Sequence, residues 1–143
     1  MEAPTVTVRI PPDAEHVPLF RTTVAGIAAR ADCTLDEVED LRMGVEEAAV
    51  LLLRQGGGDR IDLDVVIGEE ALEVSVARAA MATDPIEEGT FSWQILSALS
   101  DELRLEHSEG TGRIVLVKHR NQARDPAPAV SPQAGAAGNS EAS

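Results

Sequence analysis

The run Leu41-Arg-Met-Gly-Val-Glu-Glu-Ala-Ala-Val-Leu-Leu-Leu-Arg-Gln55 limits the folds open to this chain more than any other stretch. Val38, Leu41, Val45, Ala48 and Leu52 recur at steps of three and four, which marks one apolar face of a helix. From Ala48 onward Val50, Leu51 and Leu53 carry apolar character nearly all round, so the second half is expected inside the fold. Two adjacent carboxylates, Glu46 and Glu47, sit where burial begins. An ionised Glu there needs a hydrogen-bond partner, a cation or solvent. The pair is therefore either a site or the wet side of a half-buried helix, since structural ion pairs also place carboxylates in such positions.

Around this helix the patterning divides clearly. Thr5 to Ile10 alternates and stops at Pro11-Pro12, as a strand does. Val17, Phe20, Val24, Ile27 and Ala31 form a helical stripe after the acidic start Asp13-Ala-Glu15. Thr34-Leu-Asp-Glu37 has the form of a capping box opening the long helix, and Gly56-Gly-Gly58 supplies its stop. Ile61 to Ile67 and Leu72 to Val76 alternate as strands about a turn at Gly68-Glu-Glu70. Arg78 to Gly89 is irregular, and Phe91, Ile95, Leu96 and Leu99 give a short helix. Strands at Leu103 to Leu105 and Ile114 to Lys118 flank a turn at Glu109-Gly-Thr-Gly112. Two helices after the first strand, then mostly hairpin-linked strands, argue for an α+β two-layer sandwich: a mixed, mostly antiparallel sheet with helices on one face. The domain is expected over residues 1–120. Residues 121–143 are rich in Pro, Ala, Gly and Ser without apolar periodicity, and are expected to be a disordered tail.

Composition excludes several functions. The formal charge of −13 repels phosphate backbones and argues against direct DNA or RNA binding. No apolar run approaches the ~20 residues that span a bilayer. Met1-Glu-Ala-Pro-Thr5 lacks the basic and apolar regions of a secretion signal. Cys33 is the only cysteine, which fits a reducing compartment, and a cytoplasmic protein is expected. His16, His107 and His119 are scattered without metal-ligand spacing, so no metal site is expected. Trp93 is read as core, with an interface anchor as the other role open to a partly buried Trp.

The motif order resembles the Bergerat-fold ATPases of the histidine-kinase, gyrase and Hsp90 type, over about residues 5 to 118. More narrowly it resembles the anti-sigma factor serine kinases of Gram-positive bacteria, which regulate transcription in stress responses. Leu41-Arg-Met-Gly-Val-Glu-Glu-Ala48 matches that family's glutamate-bearing helix. Phe91-Ser-Trp to Ser100-Asp-Glu102 matches its late helix, in a form that resembles actinobacterial anti-sigma proteins, and Gly110-Thr111 matches its final turn. The resemblance implies Glu47 as general base toward a target serine and Thr111 as an adenine-side contact. It implies Arg21, just after Phe20, as a sigma-factor contact, where the sequence alone reads a solvated helix arginine. It also implies a sigma factor and an anti-anti-sigma antagonist as partners, and pairing as a homodimer.

Departures from the family pattern bear on ATP and magnesium, which enter only through the resemblance. The magnesium-binding asparagine is replaced by Leu51, which offers no oxygen to a hard cation. The aspartate-x-glycine-x-glycine that reads adenine is replaced by Arg78, Ala80 and Ala82, and an arginine carries donors only. Two later glycines are replaced by Thr90 and Ser92. No cofactor is therefore expected, and the chain is read as an anti-sigma protein that sequesters a sigma factor without efficient kinase activity. An active ATP-dependent kinase of the antagonist and a nucleotide-free adaptor for another regulator stand as alternatives. Because residues 121–143 offer no apolar surface to offset their ordering entropy, truncation after Arg120 is expected to leave the thermal melting midpoint unchanged.

Overall fold

Stretches of alternating polarity form five strands, and stretches of helical spacing form three helices, in a computed structural model that describes residues 3–120. The expected tail at 121–143 lies outside the described residues. Strand β1 (Thr5–Ile10) leads through a 3-10 turn at Ala14–His16 into α1 (Val17–Arg30) and α2 (Leu35–Gln55). The hairpin β2 (Ile61–Ile67) and β3 (Ala71–Arg78) follows, then α3 (Phe91–Ala98), β4 (Glu102–Ser108) and β5 (Thr111–His119).

The sheet order is β1-β2-β3-β5-β4, and every pair is antiparallel, where a mixed sheet was expected. Two helices, not one, separate β1 from β2, so the chain reverses direction three times and returns antiparallel. The single helix between β3 and β4 does make those two strands parallel, but β5 lies between them. The expected α+β sandwich is otherwise the fold observed.

Local chemistry sets both ends of α2. The Thr34 hydroxyl accepts from the Glu37 N–H at 3.1 Å, and the Glu37 carboxylate accepts from the Thr34 N–H at 2.8 Å. At the other end Gly56 adopts φ 77°, a conformation that costs glycine little. Between them Leu41, Val45, Ala48 and Leu52 are fully buried, facing Leu63, Val74, Val76, Ile114 and Leu116 of the sheet. Gly44 allows the approach: a Cβ there would lie 3.1 Å from Leu116 Cδ1. Helix α1 packs beside α2 through Phe20, Val24 and Ala28.

The alternate residues of each strand face away from the helices, and there charge replaces a second layer. Arg9 pairs with Asp62 at 2.7 Å, Arg104 with Glu73 at 3.2 Å, and Arg113 with Asp64 and Glu106 at 3.6 Å each. The hydrogen bond that Arg9 donates to Asp62 raises its pKa above its ordinary value, so that guanidinium stays charged. Val115 and Val117 are nonetheless buried beneath these long side chains, whose methylene stems cover apolar surface. Core position and surface position should separate cleanly in mutation. Leu52→Ala is expected to cost about 2–5 kcal/mol in urea unfolding, and Leu19→Ala on the open side of α1 about 0.5 kcal/mol or less.

Candidate functional site

The second half of α2, apolar on most sides, needs cover at its C-terminal end as well as along its length. Arg78 and the segment 79–90 provide it. Arg78, at the end of β3, is 8% exposed. Its Nε donates to the Gly58 carbonyl at 2.9 Å and a terminal nitrogen donates to the Leu52 carbonyl at 2.8 Å. Leu52 lies in the last turn of α2, where carbonyls lack helical partners and the helix dipole favours a cation. Arg78 thus caps α2 from within the fold. Gly57 makes room for it: a Cβ there would fall 3.1 Å from both Cδ and Nε of Arg78.

From Arg78 the chain turns back over the cleft between α2 and β5. Ala80 takes φ 57°, left-handed backbone that costs a residue with a Cβ about 1 kcal/mol. The Met81 N–H donates to the Gly110 carbonyl at 2.7 Å, and the Met81 side chain enters the core. A Cβ on Gly112 would come within 2.6 Å of its sulfur. Ile86 is also buried, and Leu51, Met81 and Ile86 belong to one apolar cluster. Gln55 ties the segment to the helix end: its amide nitrogen donates to the Pro85 carbonyl and its oxygen accepts from the Thr83 hydroxyl at 3.0 Å. On the far side the His107 ring lies 3.2 Å from the Met81 carbonyl and 3.2 Å from the Asp84 carboxylate.

These residues do not fit a magnesium nucleotide. Leu51 gives the metal nothing, Arg78 spends two of its donors on backbone carbonyls and offers adenine no acceptor, and Met81 occupies the space that Gly112 leaves. Outside the segment an open cleft of about 610 Å³ is lined by Gln55, Thr83, Asp84, Glu87 and His107 among others. Its carboxylates oppose a phosphate.

The residues singled out in the sequence fall in different places. Arg21 bridges α1 to α2 by pairing with Glu46 at 3.0 Å, and both side chains stay partly exposed. Glu47 is half-buried, and no hydrogen bond or ion pair reaches its carboxylate among the described residues. Thr111 opens β5 opposite Ser108, next to the Gly112 position that Met81 covers. No hydrogen bond joins Glu47 to Thr111. Trp93 is partly buried against the core, as expected. Asp13, Glu15 and His16 gather ligand atoms within 4.8 Å of one another, but on an exposed turn, where carboxylates commonly cluster without an ion. The closing residues Gln55, Met81 and Ile86 were not foreseen. Their signal was faint: two isolated apolar side chains in an irregular stretch.

No protein-family model matches the chain. Structurally it is an α+β sandwich of the kind found in a crystal structure of the RsbU and RsbW domains of a Mycobacterium tuberculosis protein. The two superpose with a TM-score of 0.62 at 15% identity, over 87% of this chain and 35% of that one. In sequence it is 38% identical over 95 residues to the anti-sigma-F factor RsbW of M. tuberculosis, covering 65% of this chain and 56% of that protein. It is also 25% identical over 126 residues to a serine-protein kinase RsbW of Bacillus cereus (73% of this chain, 79% of that protein). The Bacillus subtilis serine-protein kinase RsbW is 24% identical over 141 residues (83% and 88%). The chain is thus similar in sequence to RsbW proteins, one named an anti-sigma-F factor and others serine-protein kinases. It spans little more than half the length of the M. tuberculosis relative.

Two substitutions test the closed end of the cleft. Arg78→Ala strips donors from two carbonyls and is expected to destabilise by about 1.5–3 kcal/mol. Ala80→Gly relieves the left-handed strain and is expected to raise the melting midpoint by a few degrees, read in the same thermal scan.

Proposed function

We propose that this protein binds and sequesters an RNA polymerase sigma factor in the cytoplasm by direct protein contact, without ATP. The observation that carries the reading is the cleft closed by Leu51, Arg78, Met81 and Ile86. Its relatives include an anti-sigma-F factor, which supports the class of partner. A chain of net charge −13 suits a partner with basic, DNA-facing regions, because complementary fields speed encounter and penalise wrong partners. Release comes by competition from an anti-anti-sigma antagonist, and a homodimeric state is part of the same reading. No helix among the described residues is long and apolar enough to cross a membrane.

Arg21 is the contact we assign on α1. Its guanidinium is a planar fork of always-charged donors, and one nitrogen engaged by Glu46 leaves others for a partner carboxylate. Glu47 is a general base only by resemblance, and phosphoryl transfer depends mainly on positioned metal and phosphates. Its unengaged carboxylate favours the kinase alternative, as do the relatives named serine-protein kinase.

Calorimetry with ATP and magnesium is expected to show no low-micromolar binding. Two lost buried polar contacts, each worth ~1–3 kcal/mol, remove about two or more decades of affinity. Arg21→Ala is expected to weaken sigma binding by about a decade without lowering stability, since a partly exposed ion pair contributes ~1 kcal/mol or less. Glu47→Ala is expected to bind sigma as wild type does. Magnesium-dependent phosphorylation of an antagonist serine that disappears in Glu47→Ala would establish the kinase instead.

A further inference from the structure

Helix α3 is the most apolar helix in sequence, yet it buries only Leu96 completely. Phe91, Ile95 and Ala98 recur at i, i+4 and i+7, which places them on one face. Phe91 is 76% exposed and Ala98 is exposed, while Trp93 turns inward against the core. The chain has only three aromatic residues. Phe20 is fully buried, so leaving Phe91 in water is a departure from how this fold uses its aromatics. Aromatic side chains exposed in this way are enriched as interface anchors.

Along the chain, carboxylates flank this helix, although Glu102 alternates with Leu103 and so shares the open sheet face with Arg104. From Ala79 to Leu103 the chain carries Asp84, Glu87, Glu88, Asp101 and Glu102, and no Lys, Arg or His. All five are exposed. Asp84 faces His107, and Asp101 and Glu102 lie near His119. Glu87 and Glu88, immediately before α3, make no ion pair among the described residues. Arg104, just beyond, is drawn to Glu73 and Glu106 on the open sheet face.

Three occupants are distinguished by charge. A second copy would set carboxylates against carboxylates. Residues 121–143 hold Arg124 against Asp125 and Glu141, so they bring no basic complement. A basic amphipathic helix of another protein satisfies both the apolar stripe and the flanking carboxylates, and DNA-facing helices have that composition. We infer that α3 and its flanking carboxylates form a second docking surface, separate from Arg21, for a basic amphipathic helix of the sigma factor. The assignment rests on the sigma-binding reading above.

The test titrates the full chain with the purified sigma-F-type factor of the same genome at several salt concentrations. Wild type is compared with Phe91→Ala, with the double reversal Glu87→Lys/Glu88→Lys and with Arg21→Ala. The changed side chains at 87, 88 and 91 are exposed, and thermal melts confirm that each variant is folded. Phe91→Ala is expected to weaken binding about ten-fold or more. The double reversal is expected to weaken it similarly and to flatten its salt dependence, which Arg21→Ala largely retains. If Phe91→Ala and the reversal bind as wild type while Arg21→Ala does not, the second surface is wrong and sigma binding stands. Tighter binding by the reversal also overturns the surface. If wild type fails to bind the sigma factor at all, both readings fall.

Discussion

The structure depends on covering one helix end. Helix α2 becomes apolar nearly all round after Ala48, and the sheet and α1 can cover only two of its sides. Leu51 is buried on a third, and Met81 and Ile86 join it in the one core cluster. The carbonyls of the last turn must also be satisfied, and Arg78 reaches one of them at Leu52 from the adjacent strand. A polar residue at 51 would be buried within an apolar cluster. A shorter side chain at 78 would leave the Leu52 carbonyl buried without a donor, a cost comparable to a lost hydrogen bond.

This interdependence makes the departures from the kinase pattern a single arrangement. Leu51, Arg78 and the folded-down segment each remove something a nucleotide would use, and each supplies something its neighbours need. Ala80 is informative because it keeps left-handed backbone without a glycine to ease it. The turn after β3 holds its shape because Gly58, Gly110 and Gln55 bind the residues on either side of it. Strain persists where surrounding bonds over-determine the conformation.

What the sequence revealed follows the range of the interactions. The capping box at Thr34, the stop at Gly56 and the β2–β3 hairpin are local, and each was legible from a few adjacent residues. The α+β class was legible from element order. The insertion of β5 between β3 and β4 was not, because strand periodicity says which face a residue takes and nothing about which strand it pairs with. Arg78 read as the loss of an acceptor, since the carbonyls it caps are backbone groups invisible in a residue string. Arg21 read as a free surface cation, and its pairing with Glu46 depends on the packing of α1 on α2.

With the cleft closed, the remaining chemistry lies on the outside of the molecule, and the charge is unevenly distributed there. The open sheet face carries carboxylates, but Arg9, Arg104 and Arg113 answer most of them row by row, so that face is electrostatically satisfied within the chain. Around α3 no arginine or lysine intervenes over 25 residues, from Ala79 to Leu103. Exposed carboxylates such as Glu87 and Glu88 near an exposed aromatic carry a desolvation cost toward most partners and a favourable field toward a basic one. The same uneven distribution that leaves one face inert therefore gives the other its selectivity.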